Sequence, residues 1–200
     1  METVRLVGGN LAVDFVNTRT GPPAGPPDGD VLTGYAELVA WGVYAGALTE
    51  PEAARLRRRS RDDPDGARTA FTRARDIRDD LDEIFRSLAG GGEPRPAALA
   101  RLRDGESDAL GHARLERGSP FTWSWRDDHT LDRPLRPVVH AAVGLLTAGP
   151  LDRIKGCGGC SFLFVDESKN RSRRWCSMED CGTSEKIRRY VAARRSRSAR

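Results

Sequence analysis

The sequence predicts an α+β chain: a mainly helical body with a small β element, followed by a four-cysteine module of treble-clef-like or ribbon-like form. Three observations predict it. Apolar residues recur at helical spacing through most of residues 35–147. One stretch near residue 120 alternates with period two instead. All four cysteines fall within the last 44 of the 200 residues.

Charge divides the chain at the same place. Residues 1–150 carry 20 Arg and no Lys against 23 Asp and Glu, whereas residues 151–200 carry 13 Lys and Arg against 6 Asp and Glu. A body of net −3 therefore precedes a tail of net +7. We read residues 1–150 as the body and 151–200 as the cysteine module.

The elements follow in order. Leu11, Val13 and Phe15 alternate with Ala12, Asp14 and Val16, which predicts a short strand or extended segment within residues 6–18. A loop rich in Gly and Pro spans residues 21–29. Helical spacing covers Tyr35 to Ala45. Thr49-Glu50-Pro51-Glu52 is a capping box with proline in the first turn, leading into a helix over Ala53 to Arg59. The longest helix is expected from Pro64 to Leu88, with Ala67, Ala70, Phe71, Ala74, Ile77, Leu81, Ile84, Phe85 and Leu88 at helical spacing and Gly90-Gly91-Gly92 ending it. The acidic cluster of Asp76, Asp79, Asp80, Asp82 and Glu83, interleaved with arginines, reads as a solvated face of that helix. After a shorter helix over Pro96 to Leu102, strands at Ala113–Glu116 and Phe121–Arg126 are joined through Gly118-Ser119-Pro120 as a hairpin with one aromatic face. A buried helix over Leu135 to Thr147 and the pair Gly149-Pro150 close the body.

The cysteines are spaced Cys157-x2-Cys160, then fifteen residues, then Cys176-x4-Cys181. Four thiolates fill a tetrahedral Zn²⁺ site at about 2.3 Å and leave no open position, so one structural zinc ion is expected, with no catalytic residue. Gly156, Gly158 and Gly159 suit a knuckle around the first pair through glycine's access to positive φ. Two disulfides or a redox pair are the competing readings. Against them, the N-terminus lacks a secretory leader, which reads as cytoplasmic, and a lone redox pair would leave Cys176 and Cys181 unused. No apolar run approaches the roughly 20 residues that span a membrane.

Within the tail, Phe162–Val165 predicts a strand, and Glu179–Arg195 a helix starting at the last ligand. Ile187, Tyr190 and Val191 share one side of that helix and are expected to face the metal core. About 50 residues bury too little surface to fold comfortably alone, so the metal is expected to supply much of the folding free energy.

Charge and placement are compatible with double-stranded DNA as the partner, the plain alternative being a solvated basic face. Lys169, Asn170, Arg171, Arg173 and Arg174 lie between the metal pairs, and Lys186, Arg188 and Arg189 follow on the helix; together they can neutralise several phosphates. Gly182 to Ser184 would add backbone N–H groups at a helix N-terminus, an anion site. Trp175 reads as packed on the zinc module, with stacking on a base as the functional alternative, and Asp166 as ordering the turn with Ser168, with pairing to Arg173 as its alternative. In the body, Asp14 and Asn17 read as an Asx-type cap or turn, with a ligand pocket shared with Trp123 or Trp125 as the functional alternative. His112, His129 and His140 are single and dispersed, and no catalytic triad, phosphate loop or carboxylate pair stands out, so an enzyme is not expected.

A longer pattern is also present. Cys157-x-x-Cys160, Phe164-x-Asp166-x-Ser168-Lys169-Asn170-x-Ser172-Arg173-Arg174-Trp175-Cys176-Ser177-Met178-x-x-Cys181-Gly182 resembles the CGNR zinc-finger family, bacterial proteins regarded as stress-induced transcription regulators. Gly8-Gly-Asn-Leu-Ala-Val-Asp-Phe-Val-Asn-Thr18 resembles the opening of the ABATE domain that precedes such fingers. The two matches cover nearly the whole chain. The resemblance implies a DNA-binding zinc finger behind an α+β body. At Thr183-Ser184 this chain departs from the Asn-Arg that follows Cys-Gly in the family pattern; the ligands are unaffected, and any contact made by that Arg is lost. Two alternatives come from other classes: a protein-interaction module that docks an acidic partner, and a ligand or redox sensor with the body as its sensing domain. A homodimer stays open.

Overall fold

Local signals place the first helices. In a computed structural model, which describes residues 5–23, 25 and 27–198, Asn10 caps a short helix α1 (Leu11–Val16) by accepting from Ala12 N at 2.9 Å. This corrects the expected strand. Alternation over six residues is a weak signal when every side is covered, and Ala12, Val13, Asp14, Phe15 and Val16 are all buried. A two-residue ribbon, β1 (Arg19–Thr20) with β2 (Gly29–Asp30), frames the Gly/Pro loop, whose residues 24 and 26 lie outside the described set.

Helix α2 (Tyr35–Tyr44) lays Trp41 against Phe15, ring centres 5.0 Å apart. The capping box opens α3 (Glu50–Asp62): Glu52 Oε2 accepts from Thr49 N at 2.8 Å, and Thr49 Oγ1 accepts from Glu52 N. Asp63 ends α3 and caps α4 (Pro64–Ala89), accepting from Gly66 N at 2.9 Å with Pro64 in the first turn. Helix α4 is the spine of the molecule, with Ala67, Ala70, Ala74, Leu81, Ile84 and Phe85 in the core. Its charged face is not all solvated, as the acidic cluster suggested. Asp80 is buried against Arg101, and Arg78, 1% exposed, holds Asp30 and Thr18.

Helix α5 (Pro96–Gly111) runs nine residues past its expected end at Leu102. Tertiary packing carries it across Gly105, whose bare face lies 3.5 Å from Val139 at the Cβ position and lets α6 (Arg136–Ala148) approach closely. The hairpin of β3 (Ala113–Glu116) and β4 (Thr122–Trp125) forms in the expected place, with Leu115 opposite Trp123 and Ala113 opposite Trp125. Two buried arginines tie loops to the helices: Arg133 to Glu52 at 2.5 Å, and Arg136 to Asp128 at 2.9 Å.

The tail is built onto this body. Strands β5 (Ile154–Gly156) and β6 (Leu163–Val165) pair antiparallel, and Ile154, Leu163 and Val165 join the same core as α1, α4 and α6. A smaller apolar cluster of Phe164 with the cysteines lies on the other side of the ribbon. A wide turn at Met178–Gly182 leads into α7 (Thr183–Ser198). The side chains of residues 189, 193 and 195–198 lie outside the described set. No described helix is long and apolar enough to cross a membrane.

Candidate metal centre and nucleic-acid interface

The sulfurs of Cys157, Cys160, Cys176 and Cys181 lie within 4.8 Å of one another, and all four thiols are free. Cys160 to Cys176 is 3.5 Å and Cys176 to Cys181 is 3.6 Å. A disulfide needs about 2.05 Å. A tetrahedron with Zn–S arms of about 2.3 Å has edges of about 3.8 Å, so the cage already has the dimensions of one closed zinc site. The chemistry of the surroundings agrees. Backbone N–H groups of Gly159 (3.4 Å) and Cys176 (3.2 Å) point at Cys157 Sγ, and bonds of this kind favour a thiolate. Hydrogen bonds from the Cys160 and Cys176 thiols hold Cys157 well below the usual thiol range, while their bonds with Cys157 push Cys160 and Cys176 up and burial pushes Cys181 up. A divalent cation bound by the four sulfurs would make each of them a thiolate, so binding releases protons.

None of Gly156, Gly158 and Gly159 has the positive φ expected of it; Gly158 and Gly159 serve the knuckle through close approach instead, and Gly156 faces open space. A Cβ on Gly158 would sit 2.6 Å from the Trp175 ring, and one on Gly159 would sit 2.9 Å from Cys181 Cβ. Trp175 is therefore packed on the zinc module.

Asp166, fully buried, organises the loop between the two cysteine pairs. It accepts from Ser168 N (2.9 Å), Arg173 N (3.1 Å) and Lys155 Nζ (2.6 Å). Burial alone would raise its pKa, but the Lys155 and Ser168 bonds hold the carboxyl well below the usual range.

Arg173 is placed differently from its neighbours. Its guanidinium donates to the carbonyls of Trp175 (3.0 Å), Val7 (2.9 Å) and Cys176 (2.5 Å) and lies 4.3 Å over the Phe164 ring. Val7 belongs to the N-terminal segment, so this arginine clasps finger to body. No local pattern signals that role, because one acceptor is 166 residues away.

The remaining basic candidates divide by what already holds them. Arg171, in a left-handed turn (φ 51°), pairs with Asp152, and Arg188 with Glu185 at 2.8 Å. Lys169, Asn170, Arg174 and Lys186 are exposed, and Lys169, Arg174 and Lys186 make no ion pair among the described residues. The Arg189 side chain lies outside the described set. Arg174 and Lys186 line one cavity together with Trp175, Met178, Gly182 and the carboxylate Glu185.

Two expectations for the last helix are corrected. Its N–H groups at Gly182 and Thr183 form no anion site, because they donate to Ser177 O and back into the Met178–Asp180 turn. The turn that precedes the helix presents Glu179 and Asp180, which pair with Arg5. Thr183 Oγ1 donates to Met178 O at 3.0 Å and steadies that turn. Ile187, Tyr190 and Val191 do not face the metal: they are 59%, 63% and 40% exposed, since Phe164 and Trp175 already cover the cage.

The two halves of the proposed body pocket have separate partners. Asp14 accepts from Gly8 N at 2.7 Å, while burial pushes its carboxyl up. Asn17 donates to Leu163 O and accepts from Leu163 N, each at 2.8 Å, pairing with β6 as a strand would. Trp123 and Trp125 pack edge-on against His140, at 5.9 and 5.5 Å. His140 in turn bonds Glu106 at 2.7 Å.

Comparison with protein families fits this geometry. Residues 9–149 match the ABATE model, described as "Putative stress-induced transcription regulator", and residues 153–195 match the CGNR zinc finger. The chain belongs to the ABATE family. Its CGNR finger holds the four-sulfur cage, and one structural zinc ion is its cofactor. Neither description is of an enzyme. No curated protein matches the chain.

Proposed function

We propose that this protein is a DNA-binding transcription regulator whose CGNR finger contacts duplex DNA. The observation that carries this reading is that Arg174, from the loop before Cys176, and Lys186, from the helix after Cys181, line one exposed cavity and make no ion pair among the described residues, the lining carboxylate Glu185 being paired with Arg188. Lys169 and Asn170 extend the same basic loop. Arg171 and Arg188 can join once phosphate competes with their surface carboxylates, because exposed ion pairs are held by about 1 kcal/mol or less. Arg173 supports the surface without belonging to it. Phosphate contacts of this kind give affinity that is steep in salt and weak in sequence preference.

The test is fluorescence anisotropy of a labelled duplex with the zinc-loaded full chain over a salt series. Reversing charge at Arg174 and Lys186 together should weaken binding at least tenfold and flatten the log–log salt slope by about 2. Unchanged binding in that variant, or no binding by the wild type at low salt, would overturn the reading. A second reading has one observation in its favour. The exposed stripe of Ile187, Tyr190 and Val191 on α7 is the kind of surface a protein partner covers, and binding of an acidic protein without affinity for DNA would select it.

A further inference from the structure

DNA binding by the finger leaves the hairpin of β3 and β4 without a role. Leu115, Trp123 and the adjoining Phe121 lie on the strand face whose inner end, Trp125, packs on His140, yet they are 56%, 44% and 60% exposed. Exposed apolar side chains gathered on one face mark a surface that another element covers. Among the described residues the two strands form a sheet of their own, so both of its long edges are open. An open edge is a row of unpaired backbone groups ready to template another strand, and a two-stranded hairpin gains stability from one.

The edge of β3 matches one partner in particular. Arg126 N donates to His112 O at 2.8 Å, so these two residues form a hydrogen-bonded pair of the ladder. Such pairs alternate with non-bonded ones along antiparallel strands. Arg114 with Ser124 and Glu116 with Thr122 therefore bond inward, while Ala113 and Leu115 turn their N–H and C=O groups to the outer edge. An identical β3, run antiparallel with Leu115 on a two-fold axis, meets those groups in register. Leu115 exchanges both backbone bonds with its counterpart, and Arg114 stands opposite the copy's Glu116 in the non-bonded pairs, where side chains come closest. Opposite charges thus meet twice across the axis. Within its own chain neither Arg114 nor Glu116 makes an ion pair among the described residues. Moving the axis one residue either way sets Arg114 against Arg114 or Glu116 against Glu116, which is destabilising. The edge of β4 carries no such code, since an axis at Trp123 sets Thr122 opposite Ser124.

We propose that a second copy of this chain docks here, β3 against β3, closing a dimer through a four-stranded antiparallel sheet that covers Leu115 and Trp123. Backbone pairing supplies the attachment, and Arg114 with Glu116 fixes the register and selects a like chain. The interface belongs to the body and forms with or without DNA.

The experiment is sedimentation velocity of the zinc-loaded full chain without DNA over about 1–200 μM, a range in which mass action shifts a modest dimer. The mass should rise with concentration from that of one 22.0 kDa chain to twice that value and no further. Arg114→Glu and Glu116→Arg, each alone, should raise the dimer Kd at least tenfold, because each sets like charges opposite at both pairs. An equimolar mixture of the two variants should dimerise again, as should the double exchange within one chain. If one single variant loses the wild-type far-UV spectrum, the Kd of the other and of the double exchange decide. A chain that stays monomeric throughout, a folded single variant that dimerises as the wild type does, or growth beyond two copies would overturn the proposal.

Discussion

Replacing Asn17 by Ala tests whether body and finger fold as one unit. The Asn17 amide, 1% exposed, meets both backbone groups of Leu163 at 2.8 Å and so joins the end of α1 to β6. Alanine leaves a buried N–H and a buried C=O without partners, each costing about 1–3 kcal/mol, or about 2–6 kcal/mol together. Taking about 3 kcal/mol, the expected fall in Tm is about 6–12 °C for a chain of this size. The assay is urea unfolding of the zinc-loaded protein, followed by far-UV circular dichroism and by zinc capture with a chromogenic chelator. Both signals should move together to lower urea, because the joint belongs to both halves. A loss below about 0.5 kcal/mol, or zinc release that stays at the wild-type midpoint while the helices melt earlier, would refute the reasoning.

Other outcomes follow from the same contacts. Cutting the chain after Pro150 strips Ile154, Leu163 and Val165 from the core, at about 1.5–3 kcal/mol each, so the remaining body should show molten-globule dye binding instead of a cooperative melt. Gly158→Ala forces a Cβ into the Trp175 ring and should weaken zinc at least tenfold in a chelator competition, whereas Gly156→Ala, with open space around it, should not. Arg173→Gln should cost about 2–4 kcal/mol in thermal denaturation, while Arg174→Gln leaves Tm within about 1 °C; equal stability of the two would remove Arg173 from its clasp role. Asp166 has a folded pKa below its unfolded value near 3.9, so its contribution is present above that pH and is lost as pH falls through the folded pKa. The stability gap between wild type and Asp166→Asn should accordingly be full at pH 7 and shrink below about pH 4, as read by urea midpoints.

Much of the body was legible because its signals are local. Thr49 and Glu52 close a capping box from residues three apart, Asp63-Pro64 marks where one helix stops and the next begins, and the Gly90 run ends the long helix one residue past its expected limit. The cysteine spacing likewise fixed the ligand set, since two short loops bring each pair together whatever surrounds them. Alternation misled at Leu11–Val16, where a buried six-residue helix shows apolar residues on every side. Periodicity placed Ile187, Tyr190 and Val191 on one side of α7 but could not say what that side meets.

By itself, then, the sequence determined the helices with caps, the hairpin, the zinc cage and the family. Only the tertiary structure decided that the finger's ribbon completes the body's core, and that Arg173 is a clasp while Arg174 makes no ion pair among the described residues. The physical reason is range. Caps, turns and ligand pairs are settled within a few residues, whereas the fate of an arginine depends on which distant carbonyl, carboxylate or solvent reaches it first, and adjacent residues of the same type can meet opposite surroundings.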